Sequence, residues 1–192
     1  KTVKVPTMFH RSRHSYVRGT NYKALRLTYK NSSISMLIIL PDQDVDALGL
    51  AKDLPTILNI SKGSVGLLST MQLRLIDLYL PRFTFKKKND LKKSLVSLGL
   101  THPFSETSAQ FANMNPSLYI KSLTQEAKIE VNEKGTKARA VTRVRMASMS
   151  AGSITQSVKL FRVDHPFLFV IVDEATGTIL FLGLMENPAL RK

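Results

Sequence analysis

Residues 161–188, FRVDHPFLFVIVDEATGTILFLGLMENP, contain two apolar runs separated by a short polar stretch. The runs Phe167–Val172 and Ile179–Leu184 have the length of strands and are far too short to cross a membrane as helices. Thr176–Thr178 lies between them and places a glycine where a tight turn needs one. The stretch therefore predicts two buried strands joined by a turn, preceded by His165 as a packed, hydrogen-bonded histidine.

The sequence just upstream of these strands has a different pattern. Residues 132–145, NEKGTKARAVTRVR, contain no apolar side chain larger than valine, and small residues alternate with charged ones. Because every second residue of a strand shares a face, the segment would have one small face and one mostly charged face. The small face consists of Thr136, Ala138, Ala140 and Thr142, and the other of Lys137, Arg139, Val141 and Arg143. Such a segment is compatible with an exposed loop and with a buried central strand.

Composition and charge narrow the class of protein. The chain has 192 residues, 43% of them hydrophobic, which is typical of a soluble globular domain. It has no cysteine, which excludes disulfides and thiol chemistry. A net charge of +14 is compatible with a polyanionic partner and with a soluble basic protein whose charge is scattered. If there is such a partner, a sulfated glycan is the candidate, because no aromatic residues interleave with the basic runs as nucleic-acid binding would require. The basic clusters are Arg11/Arg13/Arg18, Lys86–Lys88 with Lys92 and Lys93, and Lys134–Arg145.

The remaining sequence predicts mostly strands and a few short helices. Predicted strands cover residues 2–8 (with Pro6 at an edge or end), 22–29 (half-buried), 34–42 (buried on both faces), 71–85 (a strand pair or bent strand) and 118–133. Predicted helices are two short ones in residues 44–61, divided by Pro55, and a clearer one in residues 89–100, capped by Asn89 or Asp90 with a stripe of Leu91, Leu95 and Leu98.

No catalytic or metal-binding motif accompanies these elements. The four histidines, His10, His14, His102 and His165, have none of the spacings of a metal site, and there is no nucleophile elbow or phosphate loop. We expect His10 and His14 to be solvated and not to share a face. The sequence therefore predicts no enzyme activity, no cofactor and no metal.

Several motifs, taken together, resemble one family. The segment NEKGTKARA is similar to the serpin hinge, and residues 161–188 closely resemble the serpin C-terminal signature. KTVKVPTMF, LIILPD and DLYLPRFTF follow the order of that family from the middle of its fold to its end. The resemblance implies an α+β fold of mostly antiparallel sheets with a few short helices and an exposed reactive-centre loop. Residues 1–192 would form a partial serpin domain, the C-terminal half of the full fold, with the loop at about 134–156 and the signature strands at 157–188.

The activity implied by the resemblance is inhibition of serine proteases by a suicide mechanism. The protease cuts the exposed loop, and the loop then inserts as a new strand into a large sheet. The family's spacing places the scissile bond at Met149-Ser150, which suits elastase- or chymotrypsin-like proteases. Arg145-Met146 is the alternative and suits trypsin-like ones.

The resemblance also assigns the hinge and a guarding ion pair. The hinge comprises Glu133, Lys134, Gly135, Thr136, Lys137, Ala138, Arg139 and Ala140. Lys137, Arg139 and Val141 depart from the alanine-rich pattern, but all three fall on the face that we assign to solvent, where a charge costs little. A salt bridge between Arg82 and Glu133 is expected where the loop enters the sheet.

Secretion and completeness are further expectations. Asn31 and Asn59 begin glycosylation sequons, which favours a secreted, extracellular glycoprotein. We expect a monomer when full length, no membrane or nucleic-acid partner, and a sulfated glycosaminoglycan as a candidate ligand of a basic helical patch at Lys86–Lys93. The chain resembles only half of the family's domain. Two other functions stay open: a non-inhibitory serpin with a carrier, chaperone or storage role, and a basic glycan-binding β protein.

Overall fold

The computed structural model describes residues 3–61, 64–115, 117–133 and 157–189. The strands are β1 (Thr7–Arg18), β2 (Tyr22–Thr28), β3 (Ile34–Pro41), β4 (Ile60–Ser61), β5 (Ser64–Val65), β6 (Gln72–Pro81), β7 (Phe83–Asp90), β8 (Thr124–Val131), β9 (Lys159–Arg162), β10 (Phe167–Asp173) and β11 (Thr178–Met185). The helices are α1 (Ala47–Lys52), α2 (Leu54–Leu58), α3 (Gly66–Thr70) and α4 (Leu91–Ser97), with a 3₁₀ turn at His102–Phe104.

The chain divides into two compact units. The described residues up to Phe83 and from Val131 onward form the first, and Thr84–Glu130 the second. The first unit contains a seven-stranded sheet in the order β11-β10-β3-β2-β1-β6-β9. Neighbouring strands are antiparallel except at one edge, where β6 and β9 run parallel.

The core of the first unit lies on β3 and β10, which are buried along almost their whole length. Helices α1, α2 and α3 supply buried residues to one side of this sheet. The resulting cluster comprises Ala24, Leu37, Ile39, Leu50, Leu54, Leu58, Val65, Leu67, Leu168, Val170 and Val172. Asp46 begins α1 by accepting hydrogen bonds from the amides of Leu48 and Gly49, and Pro55 lies in the first turn of α2. The prediction of two helices in residues 44–61 is confirmed, but the break lies at Asp53 and not at Pro55, which belongs to α2.

The C-terminal hairpin depends on two glycines. Gly177 adopts φ of 69° in the predicted turn, a conformation that favours glycine. Gly183 lies opposite Phe169, and a Cβ there would come within 2.4 Å of the Phe169 ring. The ring of Phe169 therefore occupies the space that any side chain at position 183 would need.

The second unit contains α4, the 3₁₀ turn and the β7–β8 pair, apart from the end residues Phe83 and Val131. Asp90 caps α4, since its Oδ1 accepts a 3.0 Å hydrogen bond from the Lys92 amide. Of the two predicted caps, Asp90 is the one used. The helix is shorter than predicted, because Leu98 closes it and Gly99 turns to φ of 95°. Leu98 consequently leaves the predicted apolar stripe and is 82% exposed.

Four further predictions about the strands are corrected by the structure. The first strand begins after Pro6, at Thr7, rather than running through residues 2–8. Strand β2 is not simply half-buried, since the adjacent Ala24 and Leu25 are both fully buried on opposite faces. Strand β8 occupies only the last part of residues 118–133. Strand β11 is only partly buried, and in the described part of the chain β10 is its one neighbouring strand.

Candidate functional site

The site is built around the two ends of residues 134–156, which themselves lie outside the described residues. The segment follows Glu133, two residues after β8 ends at Val131. It leads into β9, which starts at Lys159. The predicted scissile bond Met149-Ser150, its alternative Arg145-Met146 and the hinge residues 134–140 therefore stay predictions.

At the first end, Glu133 forms an ion pair with Arg82. Arg82 Nη2 lies 2.5 Å from Glu133 Oε1, and Arg82 Nε donates to the same oxygen over 2.7 Å. Both side chains are about half exposed, at 53% and 49%. A hydrogen bond from its own backbone amide, and then the Arg82 guanidinium, lower the pKa of Glu133 below its usual value. The structure thus brings together the two residues expected to pair at this end.

Strand β6 positions Arg82. Arg82 directly follows Pro81, the last residue of β6, and precedes the first residue of β7. Its backbone amide donates a 2.9 Å hydrogen bond to the carbonyl oxygen of Pro6. Position 82 lies between two strands, so its backbone is fixed. The exposed guanidinium of Arg82 therefore extends toward Glu133 from a fixed Cα position.

At the other end, β9 pairs in parallel with β6, in a register that places Ile76 beside Lys159 and Tyr79 beside Arg162. The amide of Val163 extends this pairing with a 2.8 Å hydrogen bond to the Tyr79 carbonyl. Both ends of the 134–156 segment are therefore attached to β6 or to the residue that follows it.

The residues after β9 join this end to the core. His165 Nε2 lies 2.8 Å from the Pro41 carbonyl oxygen, and its Nδ1 lies 2.8 Å from Asp164 Oδ1. The predicted packed, hydrogen-bonded role of His165 is confirmed. Phe167 and Phe169 of β10 are fully buried, each with its ring centroid 5.5 Å from that of Phe83.

His10 and His14 correct an expectation. Both belong to β1, where residues four apart share a face, and their ring centroids are 5.5 Å apart. Burial, followed by the nearby charge of His10, lowers the pKa of His14 from 6.5 to about 4. Residues 10–16, HRSRHSY, contain no apolar residue before Tyr16, so no apolar alternation predicts this strand.

The basic clusters are partly paired or divided in the structure. Arg11 forms a bidentate pair with Asp77, and Arg18 with Asp42 at 2.7 Å for both contacts. Lys86–Lys88 belong to a strand rather than to the helical patch that we expected. Successive side chains of a strand point to opposite faces, so these three lysines do not form one surface.

The two predicted glycosylation sites lie outside residues 134–156. Asn31 lies in an exposed turn with φ of 55°, while Asn59 ends α2 with φ of 48°.

Among the described residues no group of acidic or histidine side chains could hold a metal ion. No described helix is long and apolar enough to cross a membrane.

The aromatic partners of β9 were missed by the sequence analysis. Arg162 lies over the ring of Tyr79, and Lys159 over that of Tyr16. Both rings belong to strands distant in sequence from β9, so no local pattern could have paired them.

Comparison with known proteins identifies the family. The family model for serpins, described as serine protease inhibitors, matches residues 1–188. Glia-derived nexin of Rattus norvegicus is 39% identical over 173 residues, covering 88% of this chain and 41% of the relative. An uncharacterised serpin-like protein of Thermococcus kodakarensis is 34% identical over 188 residues, covering 97% of this chain and 42% of the relative.

A solved structure matches the chain over a similar range. The crystal structure of native protease nexin-1 with heparin matches with a TM-score of 0.75 and 32% identity, covering 98% of this chain and 47% of that one. The chain thus spans less than half the length of the relatives it matches. With the family model matched along nearly the whole sequence, the chain belongs to the serpin family.

Proposed function

We propose that the protein containing this chain inhibits a serine protease by offering residues 134–156 as bait and then inserting the cleaved segment into a sheet. The observation that carries the proposal is the attachment of both ends of this segment to β6 and Arg82. A segment fixed at both ends presents a scissile bond at a defined place. The serpin family model and the nexin relatives support an inhibitory role.

The second strand pair supports the insertion step. In the described part of the chain β8 pairs only with β7, so its second edge has no neighbouring strand. Fully extended, residues 134–149 would reach roughly 50 Å at about 3.3 Å per residue, and β8 spans roughly half of that. The segment is therefore long enough to run back along the whole of β8.

The small residues of the hinge are the predicted buried face. Thr136, Ala138 and Ala140 would be covered when the segment is inserted, while Lys137 and Arg139 would remain in water. A guanidinium on the covered face would lose its hydration without a partner, which is costly.

We further propose cleavage at Met149-Ser150 by an elastase- or chymotrypsin-like protease, with Arg145-Met146 and a trypsin-like protease as the alternative. Two sequons support secretion as a glycoprotein, and the full-length protein would be a monomer. The net charge of +14 and the nexin-1 structure with heparin support a sulfated glycosaminoglycan as a ligand.

The test combines covalent trapping with hinge variants of the full-length protein. Incubation with elastase, chymotrypsin and trypsin should give a complex that survives SDS with at least one of them. Ala138→Arg should abolish the complex and leave a cleaved substrate, whereas the matched Lys137→Arg should trap as well as the unmodified protein. Cleavage without any complex in the unmodified protein would favour the non-inhibitory role, and sensitivity at 137 with tolerance at 138 would show that the assigned faces are reversed.

A further inference from the structure

Strand β9 is held by an unusual concentration of contacts between cations and aromatic rings. Three of the four such contacts in the described ranges involve a β9 residue. Arg162 Cζ lies 4.5 Å from the centroid of the Tyr79 ring, and Lys159 Nζ 5.5 Å from that of Tyr16. Lys23 Nζ lies 5.3 Å from the centroid of the Phe161 ring.

These contacts reinforce a strand with few other attachments. β9 has four residues and lies at the edge of its sheet, and among the described strands it pairs with β6 only. Phe161 is fully buried and meets Tyr16 edge-on at 6.3 Å, but Leu160 is 57% exposed. One buried ring and one short set of backbone hydrogen bonds hold β9 only modestly. Each cation over an aromatic ring therefore adds measurably to the stability of its attachment to the sheet.

The contacts lie on both faces of the strand. Lys159 and Phe161 share the face that meets Tyr16, whereas Arg162 belongs to the opposite face, where it covers Tyr79. The ring of Tyr79 also packs on Phe9, with centroids 4.9 Å apart. Side chains on both faces of β9 therefore contact neighbouring strands, and a shift of β9 out of its register with β6 would break contacts on both faces.

We propose that Arg162 and Lys159, acting through Tyr79 and Tyr16, are positioning residues that fix the C-terminal end of the bait segment. The proposal rests on the proposed inhibitory function. A protease must bind the bait in one extended conformation, and loosening one end increases the number of conformations lost on binding. Insertion begins at the opposite end, beside Glu133. Weakening the β9 contacts therefore slows association with the protease but does not change the fraction of encounters that end in a trapped complex.

The test compares Arg162→Gln with two matched variants of the full-length protein. Arg162→Lys keeps the cation over Tyr79, and Arg13→Gln removes an exposed arginine on the same face of β1, which lies on the other side of β6. Hydrogen exchange at the Val163 amide, which donates to Tyr79, reports the anchor directly. Arg162→Gln should accelerate this exchange about two- to fivefold and slow association by a similar factor, with an unchanged stoichiometry of inhibition. Arg162→Lys should recover most of both effects, and Arg13→Gln should show neither.

Three outcomes would overturn the inference. Unchanged exchange at Val163 in Arg162→Gln would show that the cation does not hold β9. Equal effects in Arg13→Gln would reduce the result to general loss of charge, and a changed stoichiometry would indicate wider structural damage. If the unmodified protein traps no protease, the proposed function fails, and the exchange measurement still decides separately whether Arg162 anchors the strand.

Discussion

Replacing His14 by glutamine should remove a pH-dependent loss of stability. His14 lies on β1 with Arg74 of β6 opposite it in the register, and the ring of His10 is 5.5 Å away on the same face. Its Nε2 is buried and has no hydrogen-bond partner among the described residues. Protonation of His14 would therefore place a poorly hydrated positive charge close to other basic side chains.

The magnitude follows from the two pKa values of His14. Burial, and then His10, lower the pKa in the folded protein from 6.5 to about 4. Between these values the unfolded chain binds a proton that the folded protein does not, so folding stability is complete above pH 6.5, falls with the pH, and levels off below about 4. At about 1.36 kcal/mol per pH unit the upper limit is about 3 kcal/mol. Because the ring is only partly buried and solvent screens the charges, we expect about 1–2 kcal/mol.

Chemical denaturation at pH 7.5 and pH 4.5 measures this effect when the unmodified protein is compared with His14→Gln. Other titrating groups cancel in the difference between the two proteins. The unmodified protein should lose about 1–2 kcal/mol more than the variant on acidification. His10→Gln is the matched control, because His10 is exposed and its removal should leave most of the pH dependence.

Two results would refute this reasoning. One is the same pH dependence in the unmodified protein and in His14→Gln. The other is a titration of the His14 ring near pH 6.5 by NMR, which would show that the ring is hydrated in the folded protein.

Four other predictions concern the loop and the surface. Glu133→Gln should leave thermal stability at neutral pH nearly unchanged but alter the stoichiometry of inhibition, and an unchanged stoichiometry would show that the ion pair has no part in the mechanism. In the unmodified protein the ion pair should weaken in acid, as the pH falls through the lowered pKa of Glu133. Met149→Arg should shift inhibition toward trypsin-like proteases, and mass spectrometry of the released peptide should show a start at Ser150, whereas a start at Met146 would move the bait to Arg145. Cleavage within 134–156 should raise the melting temperature of the full-length protein, and calorimetry showing no rise would contradict insertion. In a secreted form, peptide mapping should find a glycan at Asn31 more often than at Asn59. Both residues are exposed, but Asn59 Nδ2 lies close to Gly66, 2.7 Å from where a Cβ there would be; a glycan at Asn59 alone would contradict this.

The sequence predicted those elements whose local signals agree with their surroundings. The run at residues 34–42 is apolar on both faces, and β3 is buried on both. Asp90 offers a cap beside an apolar-periodic stretch, and α4 begins there. At these places the preference of the local sequence agrees with the fold, so the sequence pattern is enough to predict the element.

Other features depend on partners that a local pattern does not contain. An apolar run such as residues 179–184 favours a strand but does not tell whether strands flank it on two sides or on one, and β11 proved to be an edge. Strand β1 alternates polar residues on both faces, so it has little apolar signal, yet ten of its residues pair with β6. The Arg82–Glu133 pair was expected only through the family resemblance, because 51 residues separate the two side chains.

The described contacts at the two ends of the proposed bait segment differ in strength, and this difference bears on the proposed direction of insertion. At the first end an ion pair, about half exposed on both sides, joins Glu133 to Arg82, and surface pairs of this kind contribute little to stability. At the other end β9 combines a parallel ladder, the buried ring of Phe161 and cations over two tyrosine rings. If the segment is cleaved as proposed, insertion from the Glu133 side has to break this exposed ion pair, whereas the end before β9 can keep the contacts of that strand. The asymmetry supports insertion from the Glu133 side, which is also the side that carries the small residues Thr136, Ala138 and Ala140.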